Sequence, residues 1–439
     1  MNAKQIATKA AGSGSGLLLA SLASFLASAL LSRLLSPDEF SAVVIALTTA
    51  LIASQIAQLG LMRAGTRLVA DRRATGNLGD LKAFVIFAAT AVTGASILTA
   101  GIVGAALSDG GTTPREGVMA AFLIWPFAMS RLASGIMLGH RRSFAGAFFQ
   151  SGLPHAGILF ATAIAALTLG TGLNTQIEVI VIGGAYTMAV AGLLLTLPCL
   201  ADLRHVRAAT PTPLPWLAMS LPLMLVGTMQ IANRHASVLI IGAVGEIGDV
   251  ARFYPAFRIS ELATFGLIAV NAAIAPRIAE AYGMGDLRGL QHIMRKAAHL
   301  SLGATALFVI ALFALHGPLF GLFGGIANEG RGVLMILLVG QVINAATGSV
   351  GILMAMTCQE RFAATTSAVM TALHLSSQPL LVAHYGIEGA AIGIAAASIA
   401  WNCILLHRAI GTLGINPTVL ARDRPRPIGT ELPAHRKGA

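Results

Sequence analysis

The chain has 439 residues, of which 56% are hydrophobic and 11% charged, and its net charge is +11 at pH 7. Soluble domains carry about 25% charged residues, so this chain has too little polar surface to clad a water-facing globule, and lipid must cover part of it. The cations fall in short loops between apolar runs and form no basic face, which excludes a nucleic-acid partner; Cys199, Cys358 and Cys403 offer neither a disulfide framework nor a metal-binding CxxC spacing.

The chain opens with MNAKQIATKA, whose Lys4 and Lys9 look like the start of a signal peptide. The apolar run that follows, from Gly16 to Leu35, is longer than the roughly 7–15 residues of a cleaved segment. It is read as a retained first spanning helix, with Ser21, Ser24, Ser28 and Ser32 forming a small-residue packing stripe. A bilayer-crossing helix needs about 20 mostly apolar residues. Twelve such runs follow one another: 13–35, 40–61, 83–107, 117–139, 144–170, 177–200, 214–244, 250–275, 297–324, 331–357, 362–384 and 387–411. Pro154-His155 interrupts the fifth, and Asn233-Arg234-His235 the seventh. The Pro- and Thr-rich stretch between the sixth and seventh reads as an exposed linker, and the chain turns polar and Pro-rich after Gly414. The organisation expected is a first six-helix lobe over 1–204, a linker over 205–213, a second six-helix lobe over 214–413 and a disordered basic tail over 414–439. The fold class is all-α integral membrane protein.

Of the 29 Lys and Arg residues, only Arg33, Arg115, Arg252 and Arg331 fall in loops on one side. The remaining loop cations gather on the other, which the positive-inside rule makes cytoplasmic. Both termini then lie in the cytoplasm. A repeat at an offset of about 210 residues relates the halves. Arg67 aligns with Arg277, the NLGDL run from Asn77 with DLRGL from Asp286, and MLGHRRSFAGA from Met137 with AMTCQERFAAT from Ala355. With six spans per half, both halves enter from the same side, giving a parallel repeat with a site expected between the lobes.

Charged residues deep in spans are expensive and point to function. Arg131, Arg234 and Arg258 are such residues, and Glu261 is the one acid placed at depth. Arg258 and Glu261, three apart, share a helical face, with Tyr254 one turn earlier. Two readings stand: a cavity lining in which Glu261 tempers a positive field, or a neutral pair tying helices together. Tyr254 is placed to stack on a sugar or a guanidinium. Arg131 is eight residues from Gly139, about 12 Å, within snorkelling reach of the headgroups. Arg234 is too deep for that. Buried polar residues elsewhere, including His374, Gln378, Asn344 and Asn402, are read as interhelical hydrogen-bonding groups. No Walker lysine motif, GxSxG or HExxH occurs, so no catalytic or metal-binding residue is assigned, no cofactor is called for, and the chain is not read as an enzyme.

SRLLSPDEFSAVV after the first span, the Arg67 and Arg277 loops, and VINAATGSVGILMAMTCQERF from Val342 resemble the polysaccharide-transporter flippases of the multidrug/oligosaccharidyl-lipid/polysaccharide superfamily. The resemblance extends to about Phe362. It implies a V-shaped pair of six-helix lobes working by alternating access in the bacterial inner membrane. Its cargo would be undecaprenyl-pyrophosphate-linked oligosaccharide repeat units, for O-antigen, capsule or exopolysaccharide. Partners would then be that substrate and membrane lipids, with the polysaccharide polymerase machinery a candidate neighbour. The family's cationic cavity is carried over, by chemistry alone, to Arg131, Arg234 and Arg258. The alternatives are a multidrug cation antiporter of the same superfamily and a non-transporting membrane component of polysaccharide assembly.

Overall fold

The computed structural model describes residues 3–109, 114–169, 177–324 and 329–421. Its helices are α1 Ala3–Leu34, α2 Pro37–Ala57, α3 Leu61–Ala74, α4 Leu78–Asp109, α5 Pro114–Gly139, α6 Ser143–Leu169 and α7 Ile177–Thr196, then a short 3₁₀ helix Leu197–Leu203. They continue with α8 Pro213–Val244, α9 Ile247–Glu261, α10 Thr264–Gly283, α11 Leu287–Ala314, α12 His316–Leu322, α13 Arg331–Ala346, α14 Val350–Met356 and α15 Glu360–Leu413. Among the described residues, eight helical stretches are long and apolar enough to cross a bilayer, and ten if the bent pairs in α6 and in α13–α14 count as one span each. The shorter apolar stretch Leu19–Leu34 of α1 adds an eleventh.

The twelfth span comes from dividing α15. A straight helix of its 54 residues would be about 81 Å long, against roughly 30 Å of hydrocarbon. It is not straight: Gly386 has φ 56° and ψ −141°, a conformation closed to L side chains. Gln378 Nε2 donates to the carbonyl of Ala390 at 3.1 Å, although twelve residues of straight helix would separate them by about 18 Å. The chain therefore turns back at Gly386, between the eleventh and twelfth expected spans. All twelve apolar runs are thus helical, and the protein is a multi-pass membrane protein. Its outer faces are apolar, with Ile97, Leu98 and Ile102 on α4 and Leu300, Leu307 and Ile310 on α11 exposed, as lipid-facing surface requires.

Local chemistry explains the helix boundaries. Ser36 caps α2 in a reciprocal capping box with Glu39, and Pro37 occupies the first turn, where its missing N–H costs nothing. The bend of 67° in α6 falls between Gln150 and Gly152; Pro154 collides with the carbonyl four residues before it, which belongs to Gln150. The expected eighth span is two helices, α9 and α10, separated at Leu262-Ala263.

The described helices form two lobes, α1–α7 and α8–α15, each a bundle of six spans. The lobes meet along α2 and α8, which run antiparallel: Gly60 lies against Ser220 and Met224, Gln55 against Gly227, Ile45 against Gly242, and Asp38 against Gly248. The repeat is legible in backbone detail. Gly76 and Gly285, 209 residues apart, both have left-handed φ, 73° and 70°. In each loop the next residue then caps the following helix: the N–H of Asp80 donates to Asn77 Oδ1 at 3.2 Å, and that of Gly289 to Asp286 Oδ1 at 2.8 Å. At the second repeat pair Arg141 and Cys358 share a positive φ, 62° and 57°. The next N–H in each case reaches five residues back, Arg142 to Met137 and Gln359 to Met354, both at 3.0 Å. The structural offset here is 217, one residue less than the sequence pairing of His140 with Cys358.

The linker is strapped to the first lobe. Lys82 Nζ donates to the carbonyl of Val206 at 2.9 Å, the N–H of Ala209 to that of Gly79 at 3.0 Å, and Arg73 pairs with Asp202 at 3.1 Å. The first residues after Gly414 also dock, where the sequence places a disordered tail. Ile415 is fully buried, Gln291 clamps the backbone of Asn416 at 2.8 Å in both directions, and the N–H of Val419 reaches the carbonyl of Ala346. The rest of the tail, 422–439, lies outside the described residues.

Candidate functional site

Side chains from both lobes converge on the α2–α8 seam. In the second lobe, α9 presents Tyr254, Arg258 and Glu261 on one face, as their spacing dictates. The Arg258 guanidinium is ion-paired with Glu261, its side chain only 10% exposed, and its Cζ stands 5.9 Å from the centroid of the Tyr254 ring. Tyr254 thus meets a guanidinium of its own helix, and its ring also packs across the seam on Phe40, 6.1 Å away. Arg234 of α8 approaches Glu261 from the other side at 4.0 Å, with 66% of its side chain exposed. Glu261 therefore sits between two arginines, and the three groups carry a net charge of +1. The cavity-lining and helix-tying readings divide between them: Arg258 and Glu261 form the paired floor, and Arg234 is the open cation.

Arg131 does not snorkel. It is 5% exposed and turned inward, and its Nη1 donates to Gln55 Oε1 of α2. Its Nε has no partner. Arg131 thus meets α2, whereas Arg234 and Arg258 meet Glu261. Sequence reading missed Arg63, counted there as an ordinary loop cation. The break at Leu59-Gly60, both with positive φ, starts α3 early, and Arg63 Nη2 reaches Gln230 of α8 at 2.9 Å. Gln230 and Arg234, one turn apart, present the same face of α8 to this junction. Arg63 falls just past an apolar run among other loop cations and carries no periodic signal that would single it out.

Four other deep polar residues tie helices together. His374 Nε2 lies 3.4 Å from Ser237 Oγ, and Gln378 Nε2 donates to the same hydroxyl at 3.1 Å, joining α8 to α15. Asn402 donates to Asn344 Oδ1 at 2.8 Å, joining α15 to α13.

At the end of the seam away from the Lys/Arg-rich loops the lobes are shut. Arg33 donates to the carbonyls of Leu322 and Gly321, each at 2.8 Å, Ser32 to that of Phe323 at 2.5 Å, and the N–H of Ala251 to Ser41 Oγ at 3.1 Å. A cavity of about 720 Å³ opens there, lined by Pro37, Asp38, Gly245, Glu246, Gly248, Arg252 and Glu329. Arg252 pairs with Asp249 at 3.2 Å and with Glu329 at 2.8 Å, so this is a surface vestibule above the closed seam, away from the arginines. Among the described residues no group of three or more His, Cys, Asp or Glu is arranged to hold a metal ion.

The family model described as MatE matches residues 222–380. A protein described as "Probable multidrug resistance protein NorM" from Bradyrhizobium diazoefficiens is 31% identical over 107 residues, which are 24% of this chain and 21% of that protein. Solved structures extend the likeness to nearly the whole chain. An inward-facing multidrug resistance MATE family transporter of the MOP superfamily gives a TM-score of 0.66 at 18% identity, covering 90% of this chain and 94% of that one. An outward-facing one gives 0.63 at 15% identity, covering 91% and 93%. A MOP superfamily transporter from Pyrococcus furiosus, described as having a binding pocket of reverse polarity that suggests a different function, gives 0.60 at 15% identity, covering 93% and 95%. The fold is therefore the two-lobe fold of these transporters. The family model, the partial relative and the first two structures are of the multidrug type, and none of these matches supports the polysaccharide branch expected from the sequence.

Proposed function

We propose that this protein is an alternating-access exporter of amphiphilic organic solutes, of the multidrug type, acting in the bacterial inner membrane with its Lys/Arg-rich loops in the cytoplasm. The observation that carries this reading is the polar constellation on the seam between two six-span lobes, in a fold shared with both inward- and outward-facing multidrug transporters. Alternating access needs a seam whose ends open in turn, and the contacts of Arg33 and Ser32 with α12 are a closed state of one end.

Charge bears on which solutes pass. Arg234 and Arg258 share one carboxylate, Glu261, and Arg63 and Arg131 add two further cations bound to neutral amides, so the seam is cationic. In a low-dielectric site this repels organic cations and favours anionic or zwitterionic ones. Outward movement of an anion also gains about 2.3 kcal/mol per charge per 100 mV of cytoplasm-negative potential. The same surplus of arginines favours a second reading, transfer of a pyrophosphate-linked oligosaccharide lipid, because guanidinium groups grip phosphate oxygens bidentately.

Reconstitution into proteoliposomes separates the readings. Efflux of anionic dyes, lost in the Arg234→Ala/Arg258→Ala double variant, is expected. Transfer of a lipid-linked oligosaccharide with no dye transport would replace the exporter by the flippase. Proton-driven efflux of cationic drugs, abolished by Glu261→Gln and untouched by the arginine variants, would establish the cation antiporter and refute the charge-based selectivity.

A further inference from the structure

The seam arginines are not equivalent. Arg258 and Arg234 share Glu261. Among the described residues, neither Arg131 nor Arg63 has a carboxylate partner: Arg131 donates to Gln55 and Arg63 to Gln230, both neutral amides. Burying a guanidinium without a counter-charge is costly. The groups are contiguous. Gln55 packs on α8 at Gly227, Gln230 lies one turn along the same helix, and Arg63 reaches Gln230 from α3. Arg131 is bonded to Gln55 with its Nε unpartnered and is 5% exposed, while Arg63 is exposed.

We infer that Arg131, Arg63, Gln55 and Gln230 form a binding site for a small oxyanion, a carboxylate or phosphate group, at the junction of α2, α3, α5 and α8 and separate from the Arg234–Glu261–Arg258 triad. Oxyanions suit it because the unpartnered Nε–H of Arg131 is a charged donor that lacks an acceptor. The site draws on both lobes, Arg131, Arg63 and Gln55 from the first and Gln230 from the second, so an occupying anion bridges the seam. Its existence does not rest on the transport reading, since a protein that moved nothing would still bind there.

The test is thermal stability of the purified full-length protein in neutral detergent, with inorganic phosphate or acetate added at constant ionic strength against chloride. A parallel arm uses nanodiscs with and without phosphatidylglycerol, to separate a free anion from a lipid headgroup. Wild type is expected to be stabilised, with an apparent affinity about tenfold weaker in Arg63→Gln and lost in Arg131→Met. Arg252→Ala, in the vestibule at the far end of the seam, should leave that affinity unchanged. Arg131→Met should also be at least as stable as wild type without the anion, because it removes an uncompensated buried charge; a purely structural arginine would behave oppositely. Stabilisation by phosphatidylglycerol alone, lost in the same two variants, assigns the oxyanion to a headgroup. Equal anion response in wild type and Arg131→Met, or no response to any oxyanion in either arm, overturns the site.

Discussion

Glu261→Gln should be among the most destabilising isosteric changes on the seam, and most of the loss should be recoverable by a second substitution. Glu261 compensates two cations. Its pair with Arg234, at 4.0 Å, is worth about 4 kcal/mol at an effective dielectric of 20. Arg234 is 66% exposed, however, and pairs screened to that degree contribute about 1 kcal/mol or less. Arg258 is 10% exposed and in contact with the carboxylate, and removing one partner of such a buried pair costs about 3–5 kcal/mol. The expected loss for Glu261→Gln is therefore about 4 kcal/mol, nearly all of it through Arg258. Replacing a buried pair by neutral groups is often neutral or stabilising, so Arg258→Met/Glu261→Gln should return close to wild type. The assay is the fraction of monodisperse GFP-tagged protein surviving a temperature series in detergent, read by fluorescence size-exclusion. Equal loss in the single and double variants would refute the pairing, as would wild-type stability in Glu261→Gln.

Gly60 and Gly76 have nearly the same left-handed φ, 72° and 73°, but a Cβ at Gly76 meets nothing, whereas one at Gly60 overlaps the carbonyl of Ser220 and comes within 2.8 Å of Met224 N. Gly76→Ala should cost only the backbone term of about 1–2 kcal/mol; Gly60→Ala should in addition force α2 from α8 and lower disulfide cross-linking between cysteines placed along that pair. His140, in the loop after α5, is held neutral down to about pH 4 by burial first and then by the charges of Arg73 and Arg142, against a weaker opposing effect of Asp202. Its folded-state pKa is depressed from 6.5, so the unfolded chain binds the extra proton first, and stability should fall as pH drops from about 6.5 to 4. His140→Gln should flatten that part of a pH–stability profile measured in detergent. Alkaline-phosphatase fusions should be active after Gly248 and inactive after Gly76, Arg207 and Gly285; activity at any of the latter three would reverse the orientation.

What the sequence determined is what depends on short range and on the solvent. A span must be apolar over a fixed length because the bilayer has a fixed thickness, so the twelve runs and the division at Gly386 were readable. The Arg258–Glu261–Tyr254 face was readable too, because i,i+3 and i,i+4 neighbours meet in any helix. The repeat was readable from loop residues whose backbone roles recur, although the one-residue slip at Arg141 and Cys358 needed the φ angles. The parting of α9 from α10 at Leu262-Ala263 was not visible, since both residues are apolar and hydrophobicity does not encode a break inside a span. Tertiary structure alone decided which arginines keep their charge uncompensated. Gln55 and Arg131 are 76 residues apart, and Arg63 and Gln230 are 167 apart. No local pattern links such residues, because their meeting is set by how α2 and α5 pack against α8 and not by the character of the side chains themselves.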